Sequence, residues 1–101
     1  MGEVVRDRPL ALVLGVSDNV AVAVTAVAEG TEVILGDRTV TTVQDIRFGH
    51  KLAVEPIAEG AAIRKYDEVI GIASAAIAAG AHVHVHNVVS ARLPGPDGVV
   101  R

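Results

Sequence analysis

Aliphatic residues run along this chain in short bursts that end at turn signals, and no burst extends into a pattern of helical length. Leu10 to Leu14, Val20 to Val24, Val40 to Val43 and Val69 to Ala73 have the length of strands, and Val20 to Val24 alternates Val with Ala. Among them one phrase recurs: an aliphatic residue, two variable positions, a glycine, then another strand-like run. It reads Val27-Ala28-Glu29-Gly30 before Thr31 to Leu35, Ile46-Arg47-Phe48-Gly49 before His50 to Val54, Ile57-Ala58-Glu59-Gly60 before Ala61 to Lys65, and Ile77-Ala78-Ala79-Gly80 before Ala81 to Val85. The aliphatic residue is expected to anchor a short turn in the core, while the glycine takes a backbone conformation that a β-carbon resists. Turns at this spacing predict an all-β fold, a compact coil of short strands and hairpins, rather than alternating strands and helices. Helix is expected at most as a brief turn over the alanines of Ser74 to Ala79. Gly15 to Asn19 reads as a turn or cap, and Asp37 as the tip of a hairpin.

The ends differ in character from this pattern. Residues 1–8, with Glu3, Arg6, Asp7 and Arg8, read as an amino-terminal extension without the apolar core of a signal peptide. Residues 9–90 form the expected domain. Leu93-Pro94-Gly95-Pro96-Asp97-Gly98 cannot continue a ladder, so residues 91–101 are expected to be a flexible tail or a segment that docks on a partner.

Composition narrows the function classes. A chain of 101 residues fits one domain and leaves no room for a second, catalytic one. Its aromatic residues are Phe48 and Tyr66, so the core must be built from Val, Ile, Leu and Ala. A net charge of -3 without a basic run argues against nucleic acid as a partner. No apolar stretch approaches the ~20 residues that span a bilayer, so a membrane is not expected either. The lack of cysteine excludes thiol chemistry and fits a reducing, cytoplasmic setting.

Candidate chemistry gathers in a few places. In His82-Val83-His84-Val85-His86-Asn87, a strand would place the three imidazoles on one side and the valines on the other. The plainer reading is a half-buried strand whose polar face happens to be histidine. Against it, neighbouring α-carbons in such a row lie only ~6.6 Å apart, close enough for two rings to converge on an anion or a metal. The outer two are about twice as far apart and cannot easily share an ion. His84 and His86 are therefore the candidate pair, with Asn87 supplying an amide. The two lysines, Lys51 and Lys65, stand beside rare residues in Phe48-Gly49-His50-Lys51 and Arg64-Lys65-Tyr66. Phe48 and Tyr66 either plug the core while the lysines snorkel outward, or belong to a donor-rich patch of His50, Lys51, Lys65, His84 and His86 for a small carboxylate, sulfonate or phosphate. No carboxylate stands at a partnering interval to the histidine row. Glu55, Glu59 and Glu68 read as solvated charges, and Ser17, Ser74 and Ser90 lack a nucleophile motif.

Taken together, Asp18-Asn19-Val20, Gly49-His50-Lys51, Ile57-Ala58-Glu59-Gly60, Lys65-Tyr66, Ile70-Gly71 and Gly80 through Val83-His84-Val85-His86-Asn87 resemble the amino-terminal SAF-type domain of the altronate and galactarate dehydratase family. That domain also occurs as a free small subunit in altronate dehydratase and sulfolactate sulfo-lyase. The resemblance covers roughly residues 9 to 88. It implies a β-clip fold and a small subunit of a two-component lyase, which caps an active site supplied mainly by a large catalytic subunit. The implied reaction eliminates water, or sulfite in the sulfonate branch, from an anionic sugar acid or related hydroxy acid to give a 2-keto product.

On the matching positions the resemblance implies catalytic roles for His84 and His86, as proton relay or metal ligands. It implies substrate binding by His50, Lys51, Lys65, Tyr66 and Asn87. A divalent metal, of the iron or the magnesium and manganese type, is expected in the large subunit, and no cofactor is assigned to this chain. Asp67 departs from the family pattern, which usually has glycine after Lys-Tyr, and His82 precedes the matched phrase. A stand-alone module for a small anion or metal, or a purely structural β-clip domain, are the competing readings. An apolar docking surface without its usual neighbour also predicts a homo-oligomer in isolation.

Overall fold

The recurring phrase folds in one way at all four of its occurrences. Val27, Ile46, Ile57 and Ile77 are buried, and Gly30, Gly49, Gly60 and Gly80 have φ of 83, 83, 88 and 86°. Each glycine N–H donates to the carbonyl of a residue in or directly after a facing strand: Thr42, Ala23, Ala73 and Ala53, respectively. The N–H of that residue donates back to the carbonyl just after the glycine. Two residues thus oppose one, which is a β-bulge whose first position needs a left-handed backbone. The phrases also associate in pairs. Val27 and Ile46 exchange both backbone hydrogen bonds at 2.8 Å, and so do Ile57 and Ile77.

This computed structural model describes residues 9–84 and 87–90. The strands are β1 (Ala11–Leu12), β2 (Val20–Ala23), β3 (Glu32–Leu35), β4 (Arg38–Thr41), β5 (Lys51–Ala53), β6 (Ala62–Lys65), β7 (Glu68–Ala73), β8 (His82–Val83) and β9 (Val88–Ser90). They pair antiparallel in three sheets, ordered β1-β2-β5-β8, β3-β4 and β6-β7-β9. The all-β expectation is met, and Ser74 to Ala79 form no helical turn. Val88–Ser90 pairs with β7 as a separate strand.

An internal repeat underlies this order. Ala23, Val24, Val27, Gly30 and Val33 recur thirty residues later as Ala53, Val54, Ile57, Gly60 and Ile63. After the second hairpin the offset grows by one, so that Ile46 and Gly49 correspond to Ile77 and Gly80. The added residue is visible in the ladder: Ile63 faces Gly71 and Arg64 faces Val69, leaving Ile70 unpaired.

The central sheet is buried on both faces. Ala21, Ala23 and Leu52 join Val27, Val33, Val40 and Ile46 in one cluster. Val20, Ala53 and Val83 turn the other way and join Ile57, Ile63, Ala73 and Ile77. Alternation along each strand assigns one cluster to each face. The β3-β4 hairpin therefore covers one face and the β6-β7 hairpin the other.

The hairpin tips are built differently. Gly36 at φ 70° and Asp37 join Leu35 to Arg38. Tyr66 and Asp67, at φ 58° and 62°, join Lys65 to Glu68. Two consecutive left-handed residues make the turn that matches strand twist, usually filled by Asn or Gly.

Candidate functional site

Antiparallel pairing of β5 with β8 sets Lys51 opposite Val83 and Leu52 opposite His82. Continuing that register brings His50 across from His84, and the three rings of His50, His82 and His84 gather on one side. Their centroids lie 4.3 Å apart for His50 and His84, 4.9 Å for His50 and His82, and 5.3 Å for His82 and His84, with the planes nearly parallel. His50 Nδ1 and His82 Nε2 are 2.8 Å apart, so one of these nitrogens donates to the other. All three residues are half-buried, and one ring nitrogen from each falls within 4.8 Å of the others.

The local backbone holds these rings in place. His50 directly follows Gly49, whose bulge aims it out of the β2-β5 ladder. The β8 strand ends at Val83, earlier than the expected run to Val85, because Asn87 closes the chain on itself. Its Nδ2 donates to the His82 carbonyl at 2.8 Å, and its Oδ1 accepts from the His84 N–H at 2.9 Å. The Asn87 N–H donates to the His84 carbonyl at 3.0 Å. On the far side of His82, its N–H donates to Gln44 Oε1 at 3.0 Å.

The lysines form a second group. Lys51 neighbours Val22 and Val83, and alternation points it to the face opposite His50 and Leu52. Burial, then the nearby charge of Lys65, holds the Lys51 ammonium below its ordinary value. Lys65 Nζ lies 5.9 Å from the Tyr66 ring centroid, at the outer range of a cation–π contact. The structure thus brings Lys51 near Lys65, and His50 near His84, as two groups on either side of β5.

Beside the lysines, the Lys65-Tyr66-Asp67-Glu68 turn is tied to the Gly15–Asn19 loop. The Asp18 carboxylate, nearly buried, accepts from the N–H groups of Tyr66 at 2.9 Å, Asp67 at 2.7 Å and Gly15 at 2.8 Å. Asp67 Oδ1 accepts from the N–H and hydroxyl of Ser17, which hold its carboxyl below the ordinary value. The departure from glycine at Asp67 therefore leaves the turn intact, since an aspartate tolerates this conformation and these bonds fix it. Asn19 reaches the irregular stretch of β6, donating to the Ala62 carbonyl at 2.9 Å and accepting from the Arg64 N–H at 2.8 Å.

Of the residues singled out in the sequence, His50 and His84 come together, and Lys51 approaches Lys65 with Tyr66 beside it. Asn87 supports the imidazoles through their backbone. His86 lies outside the described residues. Phe48 and Tyr66, 70% and 64% exposed, do not plug the core. Glu59 and Glu68 are exposed as expected, and Glu55 lies 3.7 Å from Arg38. Sequence reasoning passed over His82 as a site residue, together with Gln44. The available signal was the thirty-residue repeat, which makes β5 and β8 equivalent strands and so places Gly49-His50 beside the run after Gly80.

Chemically, three imidazoles, with no carboxylate in the cluster among the described residues, offer proton exchange, hydrogen bonding or ligation of a borderline transition metal. Such a donor set suits iron or zinc and does not suit magnesium, which takes oxygen ligands. The ammonium pair offers charge to a carboxylate or sulfonate.

Comparison with known proteins adds a family. Residues 9–91 match the model of the altronate/galactarate dehydratase SAF domain. The chain is 57% identical over 70 residues to altronate dehydratase of Escherichia coli and 39% identical over 70 residues to that of Bacillus subtilis, in each case covering 69% of this chain and 14% of the relative. It is 40% identical over 82 residues to the (2R)-sulfolactate sulfo-lyase subunit alpha of Chromohalobacter salexigens, covering 74% of this chain and 87% of that subunit.

Proposed function

The chain belongs to the altronate/galactarate dehydratase SAF-domain family, and from that premise we propose that it is the small subunit of a two-component lyase acting on an anionic hydroxy acid. The observation that carries the reading is the convergence of His50, His82 and His84 within such a domain. The chain spans only 14% of the altronate dehydratases it matches, and in this reading a large partner chain supplies most catalytic groups. A relative of similar length to the matched segment is a subunit of its lyase, which supports that division.

Elimination removes a proton from the carbon next to the carboxylate and a hydroxyl from the carbon beyond it. The electron pair of the broken C–H bond becomes the double bond of an enol, water leaves, and the enol tautomerises to the 2-keto acid. Developing negative charge on the carboxylate makes cationic and hydrogen-bonding groups valuable there. In this reading the imidazoles of His50 and His84 serve the substrate as proton relay or metal ligands, while Lys51, Lys65 and Tyr66, on the opposite face of β5, offer charge and a hydroxyl to a separate anionic group. Partial burial, then the charge of Lys65, lowers the Lys51 value, and an ionic contact made in such a less solvated setting is stronger than one in water. Phe48 and Tyr66, both exposed and both next to these groups in sequence, offer apolar area to the large chain.

The higher identity to an altronate dehydratase favours water as the leaving group, and the length match to the sulfo-lyase subunit keeps sulfite as the second reading. Reconstitution tests both. The large chain of a family lyase is to be produced alone, then assayed on altronate and on sulfolactate with and without this chain. Activity that appears on altronate only when both are present supports the first reading, and activity on sulfolactate the second. If no complex forms and neither substrate turns over, the subunit reading fails. Binding of a small anion by this chain alone would then favour a stand-alone module.

A further inference from the structure

We propose that His50, His82 and His84 form a three-imidazole binding site for a divalent transition-metal ion, carried by this chain itself. The proposal deepens the lyase reading at the same site, but binding is a property of this chain and needs neither substrate nor partner.

The geometry supplies the main support. Nitrogens that share one ion at ~2.0–2.1 Å lie ~3.0–3.5 Å from one another. The His50 Nδ1 to His82 Nε2 separation is 2.8 Å, and no gap among the three donor nitrogens exceeds 4.8 Å. The rings stand stacked, with planes 12–23° apart, so ligation requires each to turn about its side-chain torsions until the in-plane lone pairs meet at one ion. The bond between His50 and His82 would be exchanged for two ligations.

The backbone at these residues is already ordered, so binding does not have to fix it. Gly49 sets His50 through its bulge, while Asn87 clasps His82 and His84 and Gln44 holds the His82 N–H. Supports of this kind hold ligand-bearing segments in register and raise affinity. All three residues are half-buried, so each keeps part of its surface accessible.

Charge selects the occupant. No Asp, Glu or Cys belongs to the cluster among the described residues, so the three ligands are neutral. Nitrogen donors favour zinc, iron(II) or cobalt(II) over magnesium or calcium. An ion held by neutral ligands keeps its full positive charge, and its open positions suit an anionic oxygen ligand such as a carboxylate.

The test uses the complete 101-residue chain, cleared of metal with a chelator and titrated with Co2+ while visible absorption is followed. Calorimetry with Zn2+ gives the affinity. One equivalent binding at about micromolar or tighter, with intense bands of a four- or five-coordinate ion, is the expected result. His50→Ala, His82→Ala and His84→Ala should each weaken binding by about 100-fold or more, with unchanged circular dichroism. Asn87→Ala should weaken it by about tenfold through loss of support. If a histidine variant fails to fold, His82→Gln keeps the polar side chain and removes the imidazole. Absence of a cobalt spectrum, tighter binding of Mg2+ than of Co2+, or undiminished binding in the His50 and His82 variants would overturn the proposal. A failed titration would leave the reconstitution result standing, and a failed reconstitution would leave the titration standing.

Discussion

The two repeats of this molecule share one turn, one hairpin plan and one way of burying an aliphatic anchor, yet they carry different loads. The first, from β2 through the bulge at Gly49, has a plain Gly36-Asp37 hairpin tip. The second, from β5 through the bulge at Gly80, has an unpaired Ile70, a Tyr66-Asp67 tip and a loop stitched to it by Asp18 and Asn19. Lys65 and Tyr66 sit on that second tip, and the histidines lie where the two repeats meet at β5 and β8. The lesson is that a structural repeat can be kept while its polar chemistry is placed where extra ties hold the backbone.

The sharpest way to break this comparison is to place a methyl group at equivalent glycines. Gly30 and Gly80 have nearly the same φ, but an added β-carbon meets nothing at Gly30, whereas at Gly80 it collides with the Thr41 carbonyl oxygen. Gly80→Ala should therefore cost more than about 4 kcal/mol and prevent stable folding at room temperature. Gly30→Ala should cost only about 1–2 kcal/mol, the penalty of the left-handed backbone alone. Urea denaturation of both variants measures the difference, and equal losses would refute the distinction.

Between those extremes comes Asn19→Ala, which strands the Ala62 carbonyl and the Arg64 N–H beside the irregular stretch of β6. A loss of about 2–3 kcal/mol is expected, with amide exchange accelerated in β6 and β7 and little changed in β3 and β4. Uniform acceleration across both hairpins would show that the ties are not local.

The first repeat has its own smaller tie. Thr42 Oγ1 accepts from Thr31 N–H at 2.9 Å and donates to the Ala28 carbonyl at 2.8 Å, at the position where the second repeat has Ala73. Thr42→Ala should cost about 1 kcal/mol in the same denaturation experiment, because Ala61 shows that its N–H can bond the Ala58 carbonyl instead.

The smallest effect concerns charge. Lys51 has its value lowered from 10.5, so the folded state disfavours the ammonium. The cost is fully present below the folded value and disappears as pH rises toward 10.5, which makes stability increase through that alkaline window. Lys51→Met should raise the melting temperature by about one or two degrees at neutral pH, and the gain should shrink as pH approaches the unfolded value. A gain that persists at high pH would point to packing rather than charge.

Much of the fold was legible because its signals are local. Gly30, Gly49, Gly60 and Gly80 announce their turns through a backbone requirement that needs no distant partner. Val27, Ile46, Ile57 and Ile77 announce the buried side of those turns. Pairing was less legible, since β2, β5 and β8 are neighbours in space but thirty residues apart along the chain. For the same reason the histidine row suggested His84 with His86, while the structure joins His84 and His82 to His50 on another strand. Asn87 looked like a ligand donor from its type alone, and its amide is instead engaged with the backbone of His82 and His84.

Gly80 has a mechanical consequence. Its backbone lies flush on Thr41, and its carbonyl accepts from Val43 while its N–H donates to Ala53, so a single residue without a side chain rivets one repeat to the other. Sliding or hinging between them would have to break that seam. A larger displacement that spares this seam would carry both repeats together as one block.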